Sequence, residues 1–316
     1  MQVRKFAGIA NVRVASIHVA LGSILWLMTA PALAAEPQSF PTAEEAAKAL
    51  LDAAASDNAD ALWTVIGDEF RDELQNPDPA QERENRRKVL AAAKESMTLR
   101  EDNADTRVMV IGKEAWPMPI PIVRDAKGWH FDTAAGADEI IARRIGTNEL
   151  ETIDNLRAYV DAQVQYASAD RDGDDVLEYA QKINSTAGKK DGLYWEAAEG
   201  SDEELSPFGP FFGEHAAYLT LQDQDDPFMG YYYRIVSRQG ENAPGGRYDY
   251  VINGNMIAGF AMIAWPAEYG SSGIMTFIVS QNGKVFQTDL GDLTEGAATA
   301  IQVYDPDDSW SLVTEE

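Results

Sequence analysis

The sequence predicts an α+β protein: helices leading into a small meander in the first half, and one long helix packed on an antiparallel sheet in the second. Three observations predict it. Small and apolar residues recur at helical spacing in the first part of the chain, beginning with Ala43, Ala46, Ala47, Leu50, Leu51 and Ala54. In the centre, Leu150, Ile153, Leu156, Val160 and Val164 trace a narrow apolar stripe along one helix. Past Gly188 the character changes abruptly, and Gly, Tyr, Phe and Trp crowd into β-like runs.

The elements follow in chain order. Residues 1–34 have the form of a secretory signal peptide. Arg4, Lys5 and Arg13 are basic, no acid precedes Glu36, and an apolar run covers residues 14–28. Pro31 then breaks it, and Ala32-Leu33-Ala34 offers small residues at a cleavage site. The run is shorter than the roughly 20 apolar residues that span a bilayer. Cleavage is therefore expected after Ala34 or one residue later, leaving no stable membrane anchor. Residues 35–41 read as a linker.

A first domain is expected over residues 42–135. Thr42 and Glu45 form a capping box for its first helix. A short helix over 59–66 stops at Gly67, Asn76-Pro77-Asp78-Pro79 is a turn, and a charged helix runs from Ala80 to about Glu95. Strands are expected at 106–111, 120–123 and 128–131. This order of helices and meander resembles a nuclear-transport-factor-two-like cone.

A second domain is expected over residues 136–316. A helix over 138–145 should end at Gly146, and a longer one should run over 148–166. Its apolar stripe should be buried, with Glu151, Asp154, Arg157 and Asp161 outside it. Strands are expected at 231–237, 257–264, 274–279 and 284–288, the last two joined by a two-residue Asn282-Gly283 turn.

Five segments make a recognisable series. They are Ala115-Trp116-Pro117-Met118-Pro119-Ile120-Pro121, Arg143-Arg144-Ile145-Gly146-Thr147-Asn148-Glu149-Leu150, Asp191-Gly192-Leu193-Tyr194-Trp195, Gly230-Tyr231-Tyr232-Tyr233 and Ala264-Trp265-Pro266-Ala267-Glu268-Tyr269-Gly270. In this order they resemble the bacterial family catalogued as domain of unknown function 2950. The resemblance implies an exported protein and carries over no catalytic residue. More remotely, the long helix with Gln163 and Tyr166, the acidic loop, Gly230-Tyr231-Tyr232, Phe277 and Asn282-Gly283 resemble the globular half of type IV pilin-like proteins. There the apolar N-terminal helix runs straight into the core helix. Here it lies far upstream, so the resemblance implies a pilin-like fold without filament formation.

Composition narrows the function. The chain holds 26 basic and 52 acidic residues, a formal charge of −26, and no cysteine. Such a surface repels phosphate backbones and anionic lipid, so nucleic acid is not an expected partner. Without cysteine there is no disulfide, thiol nucleophile or zinc–thiolate site. The reading is an exported, acidic envelope protein, periplasmic or secreted, that binds an envelope protein or polymer without catalysis. The alternative is a hydrolase of an envelope polymer working through carboxylates that the sequence does not single out.

The sharpest local feature is Asp170-Arg171-Asp172-Gly173-Asp174-Asp175. Alternating oxygen ligands beside a turn-forming Gly suit a hard cation, so Asp170, Asp172, Asp174 and Glu178 form a weak Ca²⁺ candidate. In an EF-hand register from Ser168, Gly173 falls correctly but Tyr179 takes the twelfth place, and Glu178 comes one residue early. A solvated acidic turn is the competing reading, and no other cofactor is expected. His130 and His215 sit in no nucleophile-activating context. The aromatic tracts at 206–213 and 231–233 read as core, with a glycan- or peptide-stacking groove as the competing reading, and Pro244-Gly245-Gly246-Arg247 lacks the lysine of a phosphate loop.

Overall fold

The computed structural model describes residues 35–56, 58–196, 205–209 and 227–314. The expected leader and His215 lie outside these residues.

The first helix, α1 (Ala43–Ala55), is capped as its sequence dictates, with Thr42 Oγ1 accepting the Glu45 N–H at 3.2 Å. Helices α2 (Ala59–Ile66) and α3 (Arg71–Leu74) follow. The next, α4 (Pro79–Glu95), starts one residue earlier than expected. Pro79 lacks the N–H that a first-turn position leaves unused, and Asp78 caps the helix. Strands β1 (Met97–Asn103), β2 (Thr106–Ile111), β4 (Ile122–Asp125) and β5 (Gly128–Phe131) form an antiparallel sheet in that order, with the short β3 (Trp116–Pro117) beside β2. Met109, Ile122 and Phe131 meet Ala43, Ala46 and Ala47 of α1 in a first core. The sequence reading omitted β1, which is almost wholly exposed and carries no apolar alternation.

The centre corrects the sequence reading. A single helix, α5, runs over Thr133–Tyr166 without a break at Gly146. Gly lowers helix stability by about 1 kcal/mol but does not end a helix by itself. This helix is held at both ends, because Ile140 packs against the first core and Leu156, Tyr159 and Tyr166 belong to the second. The expected domain boundary at 135/136 thus falls inside its first turn, and the described residues fall in one compact unit.

The buried stripe is also different. Leu150 and Val164 are 67% and 60% exposed, while Asn148, Thr152, Asn155, Leu156, Tyr159, Gln163 and Tyr166 are buried. Only Leu156 of the expected stripe is fully buried, with Ile153 and Val160 packed at its margin. The buried face is largely polar because its side chains bond to backbone and to other side chains. Tyr159 Oη donates to Ala261 O at 3.2 Å, and Gln163 Nε2 donates to Ala180 O at 2.8 Å.

The second sheet runs β14 (Ser311–Leu312), β13 (Val285–Asp289), β12 (Met275–Ser280), β11 (Ala261–Pro266), β6 (Tyr231–Val236), all antiparallel. Its registers set Tyr233, Ala264 and Phe277 on one face and Arg234, Ile263 and Ile278 on the other. The first face takes α5, since Tyr233 Oη meets Thr152 Oγ1 and Asn155 Nδ2. The second takes α6 (Thr294–Ala300), whose final carbonyls at Ala298 and Thr299 accept from the Arg234 guanidinium at 3.2 and 3.1 Å. Both faces are covered, which explains why β12 is buried nearly throughout.

The hairpin between β12 and β13 differs in its turn. Gly283 is left-handed at φ 72° and its N–H reaches Ser280 O at 2.9 Å, in a four-residue loop of Gln281, Asn282, Gly283 and Lys284. Two short ribbons follow β6: β7 (Arg238–Gln239) pairs with β8 (Tyr248–Asp249), and β9 (Val251–Ile252) pairs with β10 (Asn255–Met256) across the two-residue turn Asn253-Gly254, where both φ are positive. No helix of the described residues is long and apolar enough to cross a membrane.

Candidate functional site

Two places concentrate chemistry, one exposed and one buried. In the exposed one, carboxylate oxygens of Asp170, Asp172 and Asp174 lie within 4.8 Å of one another. Local donors already use most of these oxygens. Asp170 accepts backbone N–H groups of Gly173 at 2.8 Å and Asp175 at 3.0 Å, which holds its carboxyl below the usual range. Asp174 accepts Val176 N–H at 2.8 Å and Asn255 Nδ2 at 2.7 Å, which ties the loop to β10. Glu178 is not part of the cluster. Its Oε2 accepts the Met256 N–H at 2.9 Å, so it holds β10 rather than completing a cation shell.

The buried place joins α4, α5 and the loop after β11. Asp78 Oδ1 accepts Ala80 N–H at 2.9 Å and Gln81 N–H at 3.0 Å, capping α4. Asn76 Nδ2 donates to Gln81 Oε1 at 2.9 Å, and Gln81 Nε2 donates to Asn148 Oδ1 at 2.6 Å. Asn148 Nδ2 then donates to Ser272 O at 2.8 Å. One residue on, Glu149 Oε1 accepts from Ile274 and Met275 N–H at 2.9 and 3.0 Å. Asn76, Asp78, Gln81, Asn148 and Ser272 are all buried. In such surroundings each bond is electrostatically strengthened, and each partner removed leaves a costly orphan.

Two further groups close this junction. Arg144 donates to Leu74 O and, at 3.0 Å, to Ser271 Oγ; burial lowers its pKa, against the pull of Glu268 and Glu82. Gly230 packs against Asn148 so closely that a Cβ would lie 2.4 Å from Nδ2, and its φ of 76° is one that L side chains rarely adopt.

The five recognised segments are therefore joined largely to one another and to neighbouring backbone. Arg143 lies 5.1 Å over the Trp116 ring and donates to Pro117 O at 2.9 Å, linking the first segment to the second. Ala267 N–H reaches Gly230 O at 2.9 Å, linking the fourth to the fifth. In the third, burial works against ionisation of Asp191, but Lys182 and Thr186 outweigh it and bring the pKa down to about 2.

The remaining sequence candidates are placed as follows. His130 is half-buried, its Nδ1 3.9 Å from Asp125 Oδ1. The 244–247 turn is closed by Gln239, whose Nε2 donates to Pro244 O and Gly246 O, each at 2.7 Å. Phe208 and Tyr231 are core residues, and residues 210–213 lie outside the described chain. The sequence reading missed Asp78, Gln81, Asn148 and Glu151. Polar residues at 148, 152, 155, 159 and 163 recur at helical spacing, a signal that a search for apolar stripes passes over.

These features define an α+β protein whose shared motifs build an internal polar junction. The chain belongs to the family described as Protein of unknown function (DUF2950), which matches residues 37–313. Neither a curated protein nor a solved structure matches it significantly.

Proposed function

We propose that this is an exported, non-catalytic protein of the bacterial envelope, periplasmic or secreted, which binds an envelope protein or polymer through its fold. The observation that carries the reading is the use of the family's motifs. Arg144, Asn148, Glu149 and Gly230 all serve internal bonding. The leader motif around Ala32-Leu33-Ala34 supports export, and the charge of −26 favours a basic or polycationic partner. The α5 helix laid on an antiparallel sheet supports the pilin-like reading of the second half, and the helices around the first sheet support the cone-like reading of the first.

One observation favours the alternative, a hydrolase of an envelope polymer. Burial raises the Glu151 carboxyl above its ordinary range, as a general acid requires. Expression with the native leader, followed by fractionation, intact-mass analysis and recovery of bound material, tests both readings. A mature chain beginning at Ala35 or Glu36, carrying a stoichiometric partner or polymer it leaves intact, is expected. Retention of residues 1–34, or polymer cleavage abolished by Glu151→Gln, contradicts the proposal.

A further inference from the structure

Glu151 lies on α5 between Asn148, which bonds to Gln81 of α4, and Thr152 and Asn155, which both meet the Tyr233 hydroxyl of β6. It projects from α5, feels Lys88 of α4, and in turn acts on Tyr233 of β6. Its Oε2 is sealed from solvent, and no described residue donates a hydrogen bond to it. The groups facing it do not repair this. Lys88 attracts the carboxylate, and Asp154 of its own helix repels it. The Tyr233 hydroxyl is taken up by Asn155 Nδ2 at 2.8 Å and Thr152 Oγ1 at 3.1 Å.

An ionised oxygen without water or a donor is unfavourable, whereas a protonated carboxyl tolerates the same surroundings far better. Closing α4, α5 and β6 around Glu151 therefore favours proton uptake, and by linkage proton uptake favours closure. We propose that Glu151 is a proton-operated latch between the N-terminal helices and the C-terminal sheet, closed when it carries a proton and loosened when it ionises. The sign follows from the raised pKa, for which burial is the main cause. The folded state binds this proton more tightly than the unfolded chain. The stabilisation is thus fully present below the ordinary glutamate value of 4.5 and is lost as pH rises through the higher folded value.

The test is hydrogen exchange across α4, the middle of α5 and β6, together with thermal unfolding, for the wild type, Glu151→Gln and Lys88→Met over acid to neutral pH. The wild type should lose protection in these elements as pH rises, whereas Glu151→Gln should hold it and melt higher than wild type at neutral pH. Lys88→Met removes the attraction that favours ionisation, so it should move the wild-type midpoint to higher pH. A Glu151→Gln profile that follows the wild type, or a midpoint that Lys88→Met leaves in place, overturns the latch. Should Glu151→Gln fail to fold, the Lys88→Met midpoint alone decides.

Discussion

The acidic loop at 170–175 and the junction around Asn148 are both dense in polar side chains, yet they are built in opposite ways. The loop is exposed, and most of its bonds join residues within a few positions, as in Asp170 to Gly173. The junction is buried, and its bonds span 67 residues between Gln81 and Asn148 and 124 between Asn148 and Ser272. Water can replace a lost partner in the loop. In the junction it cannot, so a lost partner leaves an orphaned polar group and loosens two remote parts of the chain together. A polar cluster conspicuous in sequence is therefore not the one on which the fold depends.

The sharpest way to break this comparison is Gly230→Ala. The new methyl meets Asn148 Nδ2 and a left-handed backbone at once. A loss of about 3 kcal/mol or more is expected in equilibrium unfolding. Asn148→Ala should cost somewhat less, about 2–3 kcal/mol, because it strands Gln81 Nε2 and Ser272 O in the interior. A smaller effect of opposite sign is expected at Gly146, which shares the second motif. A Cβ there meets nothing within 4 Å inside a continuous helix, so Gly146→Ala should stabilise by about 1 kcal/mol. Finally, Asp172→Ala in the loop should change stability by no more than about 0.5 kcal/mol. Calorimetry should find Ca²⁺ binding no tighter than about millimolar, since Glu178 holds Met256 instead of a cation. Submicromolar binding abolished by Asp172→Ala would erase the distinction between the two regions.

Much of the fold was legible in the sequence for local reasons. The Thr42 cap, the 106–111 and 128–131 strands and the mixed α+β class follow from patterns within a few residues. What escaped depended on remote partners. Gly146 looked like a stop because its neighbours cannot reveal that α5 is held by a core on each side of it. By apolarity alone Leu150 and Val164 belong to a buried stripe, whereas the sheet and the first turn of α4 draw in Asn148, Thr152 and Asn155 through hydrogen bonds. The five motifs were legible as a family signature, but their mutual bonding was not. Nothing within Arg143-Arg144-Ile145-Gly146-Thr147-Asn148-Glu149-Leu150 points to Ser272 or Gln81.

The central claim is that the junction couples α4 to α5 energetically, and a double-mutant cycle on Gln81 and Asn148 measures that coupling directly. Unfolding of the wild type, Gln81→Ala, Asn148→Ala and the double variant should give a coupling energy of about 1–2 kcal/mol, the double variant losing clearly less than the sum of the singles. Additivity within about 0.3 kcal/mol would mean that the 2.6 Å bond between these side chains does no such coupling, and would contradict the account.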